Sequence, residues 1–148
     1  MYSAPRHQGG YSASYSANQY RTNSVNTSPL QLVVMCYDGM LRFMKKVHDA
    51  IEANDIPNRV TYLNKTLAIV DELQGSLDFV RGGDVARNLD RIYNYLSNEL
   101  MKVGMHNDLK TLNHLDTLVR DLRSAWSDIA NNNPAPGPAD RPGLTITG

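Results

Sequence analysis

The chain has 148 residues, enough for a single domain with a real core. Fifteen basic residues balance fifteen acidic ones, which excludes a net-charge pull toward nucleic acid or an anionic membrane. The one cysteine, Cys36, has no partner in the chain, so an internal disulfide framework is excluded and a reducing compartment, the cytoplasm, is expected.

Residues 1–27 are rich in Ser, Asn, Gly and Tyr (GGYSASYSANQYRTNSVNT) and hold too few aliphatic side chains to offset their own ordering entropy. A flexible N-terminal segment is expected there. Its first ten residues, MYSAPRHQGG, lack the basic start and apolar core of a signal peptide.

The first helix is the best marked. Ser28 as N-cap, Pro29 at the first helical position and Gln31 three residues after the cap make a capping box. Leu30, Val34, Tyr37, Leu41, Met44 and Ile51 follow as one apolar row, with Val33, Cys36, Met40, Phe43 and Val47 as a second row beside it. At ~100° per residue these rows fill about half the circumference. Leu32 and Met35 fall outside that half, on the side of Asp38, Arg42 and Asp49. The longest apolar run, Leu32 to Tyr37, is far short of the ~20 residues of a bilayer span, so no membrane insertion is expected. Gly39 costs about 1 kcal/mol relative to Ala inside a helix. It reads either as tolerated noise or as a close approach by another backbone, that of a neighbouring helix or a bound chain.

The second helix starts near Ile56-Pro57 and carries Val60, Leu63, Leu67 and Val70 as its core stripe. Tyr62, Ile69 and Leu73 form a further row about a quarter-turn away. Gln74-Gly75-Ser76 marks a weakening, and Arg81-Gly82-Gly83 is expected to break the helix. Asp84 then opens the third helix as an N-cap or first-turn acid. That helix carries Val85, Leu89, Ile92, Leu96 and Val103 and ends near Gly104. The fourth begins around Asn107-Asp108 and shows Leu112, Leu115, Val119, Leu122, Trp126 and Ile129. From Asn131 the sequence NNNPAPGPADRPGLTITG reads as a Pro- and Gly-rich flexible tail. The expected fold is all-α, an antiparallel four-helix bundle over residues 28–130 between flexible segments 1–27 and 131–148.

Such a bundle needs about one apolar stripe per helix. The surplus residues Leu32, Met35, Tyr62, Ile69 and Leu73 therefore suggest a binding groove, an oligomer interface or an unevenly buried interior. A di-iron centre needs Glu-x-x-His pairs, and His7, His48, His106 and His114 do not follow a Glu at that spacing, so no metal is expected. Arg81-Gly82-Gly83-Asp84 has neither the glycine content nor the Lys-Ser or Lys-Thr ending of a phosphate loop. With Cys36 in an apolar row and no nucleophile–base order evident, neither an enzyme nor a cofactor is expected.

Three blocks carry a resemblance. SPLQLVVMCYDGMLRF is similar to the opening helix of the flagellin export chaperones, the FliS family, with Cys36 where Leu is usual. Gly82-Gly83-Asp84-Val85-Ala86-Arg87-Asn88-Leu89 through Ile92-Tyr93-Asn94-Tyr95-Leu96 resembles a second block of that family, and Asn107-Asp108 with Ala125-Trp126 a third. Tyr20, Val25 and Thr27 resemble the residues that lead into the bundle. The similarity spans residues 20 to 130.

This resemblance implies an antiparallel helical bundle in the cytoplasm. Such a protein binds the C-terminal segment of flagellin, keeps it from polymerising and presents it to a component of the flagellar export gate. The client is expected to fold into apolar grooves as a helix. Candidate client contacts are Leu32, Met35, Tyr62, Ile69 and Leu73 from surplus apolarity. Tyr37 and Tyr93 join them from the motifs, where Asp38, Gly39 and Asn88 also stand. The resemblance also implies that the N-terminal segment can occupy part of the client site, with Tyr20 and Val25 as its anchors. A monomer or weak homodimer is expected. The competing expectation is a structural helical-bundle oligomer without a client.

Overall fold

A computed structural model of the chain describes residues 28–132. They form four helices: α1 (Pro29–Glu52), α2 (Ile56–Gly75), α3 (Phe79–His106) and α4 (Leu109–Asn132). There is no strand among the described residues. The architecture is the expected antiparallel bundle, and α4 runs two residues past the expected boundary at 130.

Local chemistry sets each connection. Asn54 takes a left-handed conformation (φ 54°) after α1, and the Asp55 N–H returns to the Ala50 carbonyl at 2.7 Å. The Asp55 carboxylate then caps α2 by accepting from the Asn58 N–H at 3.2 Å, while Pro57 sits in the first turn, where it forfeits no hydrogen bond. Asn107, also left-handed, closes α3 with its N–H on the Val103 carbonyl at 2.8 Å. Asp108 opens α4 by accepting from the Thr111 N–H (3.0 Å) and hydroxyl (2.7 Å).

The α2–α3 connection corrects the sequence reading. The second helix already ends at Gly75, and the third begins at Phe79 rather than at Asp84. Asp78 is its N-cap, accepting from the Val80 N–H at 3.1 Å and the Arg81 N–H at 3.0 Å. Arg81 and Gly82 still belong to the short helical stretch from Phe79, and the helix is interrupted at Gly83, inside the expected break, so α3 is two helical pieces joined at a kink. Gly83 sits at φ 51°, ψ −124°, a region open almost only to glycine. Asp84, just past the kink, pairs with Arg87.

The core is built from Tyr37, Met40, Met44 and Val47 of α1, Leu63, Val70 and Leu73 of α2, Tyr93, Leu96, Leu100 and Val103 of α3, and Leu112, Leu115 and Val119 of α4. Each such side chain stabilises the fold by about 1.5–3 kcal/mol relative to exposure. On α2 the buried face is Leu63, Thr66, Val70 and Leu73, rotated from the expected stripe. Thr66 is fully buried because its hydroxyl donates to the Tyr62 carbonyl at 2.8 Å, so no polar group is left unpaired. That rotation brings Leu73 into the core and leaves Val60 44% exposed. Val85, just after the kink, is also turned outward at 63%.

Candidate functional site

Three consecutive residues of α1 reach three different helices. Successive helical side chains point about 100° apart, so a run of three can serve three neighbours. The Tyr37 hydroxyl meets the Tyr93 hydroxyl of α3 at 2.6 Å in the core. Asp38 accepts from Arg123 of α4 at 2.6 Å through Nε, with a second nitrogen at 3.5 Å. Gly39 faces α2, where a Cβ would lie 3.3 Å from Ile69 Cδ1. The close approach of another backbone expected as one reading of Gly39 is not found among the described residues: the group that approaches is the Ile69 side chain. Helix α1 keeps its backbone apart from the other helices, whereas α2 lies closest to α3, and α3 to α4. Side chains alone hold α1 in place.

This accounts for the surplus apolarity of α1. None of the residues from Leu32 to Leu41 is fully exposed. Within that stretch Tyr37, Asp38 and Gly39 face α3, α4 and α2 in turn.

Four of the seven expected contact residues share one place. Met35 and Leu32 lie one and two turns before Gly39 on the same face, and Tyr62 lies two turns before Ile69 on the facing side of α2. All four are half-buried; Ile69 and Tyr62 stand at the α1/α2 contact through Gly39 and Phe43, and Met35 and Leu32 continue the Gly39 face of α1. Further along it, the Phe43 and Tyr62 rings meet at 5.9 Å between centroids with planes tilted by 31°. At the other end Cys36 lies near Glu72. Burial first, and the Glu72 charge second, push its thiol up, so it stays protonated and unreactive.

The other three expected contacts lie in the core. Tyr37 is 0%, Tyr93 2% and Leu73 5% exposed, so all three are core side chains with no free surface in this conformation. The tyrosines are invested in each other, and Leu73 was carried inward by the rotated face of α2. Tyr20 and Val25 lie outside the described residues. Sequence reasoning missed Lys46 and Lys65 as part of the seam. The available signal was a lysine three residues after each seam aromatic, in FMKK and in YLNK.

Two other features are less informative. A crevice of about 240 Å³ between α1 and α4 is lined by Met44, Lys45, His48, Leu112, Asn113, Asp116 and Arg120. Its charges are already matched, Arg120 with Asp116 at 2.7 Å and Lys45 with Asp49 at 2.8 Å. His48, Asp49 and Glu52 bring ligand-type atoms within 4.8 Å of one another on α1, but Asp49 is held by Lys45. No helix among the described residues is long and apolar enough to cross a membrane.

A four-helix bundle with a half-covered apolar seam is a framework suited to binding a segment of another protein. Residues 12–133 match the family model for the flagellar protein FliS. The flagellar secretion chaperone FliS of Campylobacter jejuni is 34% identical over 116 residues, covering 78% of this chain and 91% of that protein. That of Bacillus subtilis is 32% identical over 108 residues (72% and 80%), and FliSB of Pseudomonas aeruginosa 29% over 106 (72% and 84%). A crystal structure of a bacterial flagellar chaperone superposes with a TM-score of 0.67 at 17% identity, covering 82% of this chain and 99% of that one. The chain belongs to the FliS family of flagellar secretion chaperones, which are not enzymes.

Proposed function

We propose that this chaperone binds the C-terminal segment of flagellin in the cytoplasm, holds it back from polymerising and delivers it to the flagellar export gate. The observation that carries the reading is the α1/α2 seam, where Leu32, Met35, Tyr62 and Ile69 stand half-buried beside a helix held only by side chains. An amphipathic client helix set along that seam would complete the burial of these four residues, which is recognition of a helix by a groove coupled to folding of the client. The N-terminal segment with Tyr20 and Val25 covers the seam when no client is present. Tethering gives it an effective concentration in the ~millimolar range, so even a weak contact competes.

The test is titration of the chaperone with full-length flagellin and with flagellin lacking its C-terminal segment. Binding of the first and not the second is expected. Equal binding of both, or of neither, would overturn the reading. A chain lacking residues 1–24 should bind the C-terminal segment several-fold more tightly, mostly through a faster on-rate. Weaker binding would make the N-terminal segment part of the client site instead.

A further inference from the structure

One end of the α1/α2 seam carries three cations that make no direct ion pair among the described residues, although Asp49 lies near enough to Lys46 to feel its charge. Lys46 of α1 places its ammonium 5.3 Å from the centroid of the Tyr62 ring of α2. Lys65 of α2 reciprocates, 5.8 Å from the Phe43 ring of α1. Each lysine thus lies over an aromatic ring of the opposite helix, and the two rings touch each other beneath them. Arg42, one turn before Lys46, brings its guanidinium to 3.6 Å from the Cβ position of Gly39. All three residues are exposed. Lys45, Arg87, Lys102, Arg120 and Arg123 each have a carboxylate within ion-pair distance, whereas Arg42, Lys46 and Lys65 have none among the described residues.

The rings fix where these charges sit without neutralising them, since a cation over an aromatic face keeps its full charge and most of its donors. The far end of the seam carries Glu72, beside Cys36. The seam is therefore apolar along its length, positive at the Phe43–Tyr62 end and negative at the Cys36 end. We propose that it selects an acidic amphipathic segment: a client helix whose carboxylates flank its apolar stripe where it passes Arg42, Lys46 and Lys65. This rests on the proposed client reading and adds the chemistry of the bound segment and its direction. A carboxylate reaching either lysine forms a charge-assisted contact while the ring stays covered. A client helix with its C-terminal end there gains further, because the helix dipole is negative at that end.

Two synthetic helical peptides with one shared apolar stripe, flanked by Glu in one and by Lys in the other, provide the test. They are titrated by fluorescence anisotropy, alongside the flagellin C-terminal peptide, onto the full chain and onto its Lys46→Glu/Lys65→Glu and Lys46→Gln/Lys65→Gln variants. The proposal expects the acidic peptide to bind the native chain about tenfold tighter than the basic one, with the gap shrinking as salt rises. The Gln variant should lose the preference and the Glu variant should reverse it. The flagellin peptide should follow the acidic one. No preference between the two peptides, or no binding of either to the native chain, overturns the proposal. Flagellin peptide bound equally by all three chains also overturns it while leaving the flagellin reading intact. Preference for the acidic peptide with no binding of flagellin peptide upholds the charge selectivity and sinks flagellin as the client. Circular dichroism on each variant separates a lost site from a lost fold. Should the Glu variant unfold, the Gln variant decides.

Discussion

The hydroxyls of Tyr37 and Tyr93 meet at 2.6 Å in the core and join α1 to α3 across 56 positions of sequence. Either hydroxyl can donate, but neither can reach water. Removing the Tyr37 hydroxyl leaves that of Tyr93 buried and unpaired, at a cost of about 1–3 kcal/mol, whereas Tyr37 without Tyr93 keeps Trp126 as a partner. Tyr37→Phe should therefore destabilise the bundle by that amount in urea unfolding, and Tyr93→Phe by less. The double variant should cost less than the sum of the two, because no orphaned hydroxyl remains. Additive single and double losses would show that the pair is not a coupled contact.

The same pair sets an alkaline limit. Burial pushes both phenols up from 10.0, Tyr37 further, with its hydrogen bond to Tyr93 adding to the shift and Trp126 opposing it. A group whose folded pKa lies above its unfolded value contributes its full stability below the unfolded value and loses it as pH rises toward the folded one. Stability should therefore be insensitive to these tyrosines up to about pH 10, then fall by about 1.4 kcal/mol per pH unit for each tyrosine still protonated in the folded state. Unfolding midpoints followed between pH 8 and about 12 check this, and Tyr37→Phe should make the fall shallower. A stability that rises above pH 10 would contradict it.

Leu73 and Met35 stood together among the expected client contacts, and the structure separates them. Leu73 is 5% exposed in the core, so Leu73→Ala should cost about 2–5 kcal/mol. Met35 is half-buried on the seam, and Met35→Ala should cost about 1 kcal/mol. Thermal melts of the two variants make the comparison. Equal losses would mean that the seam is core.

Gly83 has nothing within 4 Å of the position a Cβ would take, so substitution there meets no steric obstacle. Its conformation, φ 51° and ψ −124°, is the obstacle. Gly83→Ala should destabilise by about 1–3 kcal/mol through backbone strain alone. A neutral or stabilising effect would show that the kink relaxes into continuous helix.

The four helices were legible because apolar spacing, Pro29 after Ser28 and the Asp-rich helix starts all point the same way. The phase of α2 was not. Thr66 is polar by type, and only its hydrogen bond to the Tyr62 carbonyl makes its burial possible, so an apolar count placed the core face one row too far round. The interruption at the glycine pair was legible, but the short helical stretch that Asp78 caps before it was not. On α1 the surplus apolar residues were visible, but the division of Tyr37, Asp38 and Gly39 among three helices depends on where those helices stand. Leu32, Met35, Tyr62 and Ile69 were singled out from surplus alone, and all four are half-buried. Lys46 and Lys65 were missed because a lysine on a helix face reads as solvated until an aromatic ring is seen beneath it.

The central claim is that Tyr37, Asp38 and Gly39 fasten α1 to three helices and leave the α1/α2 seam for the flagellin segment. Titration calorimetry of a flagellin C-terminal peptide onto the native chain and onto Met35→Ala/Ile69→Ala tests it most directly. The account predicts a dissociation constant at least about tenfold higher for the variant, in keeping with the loss of two desolvated anchors, while its melt stays cooperative. A variant that binds the peptide as tightly as the native chain would contradict it.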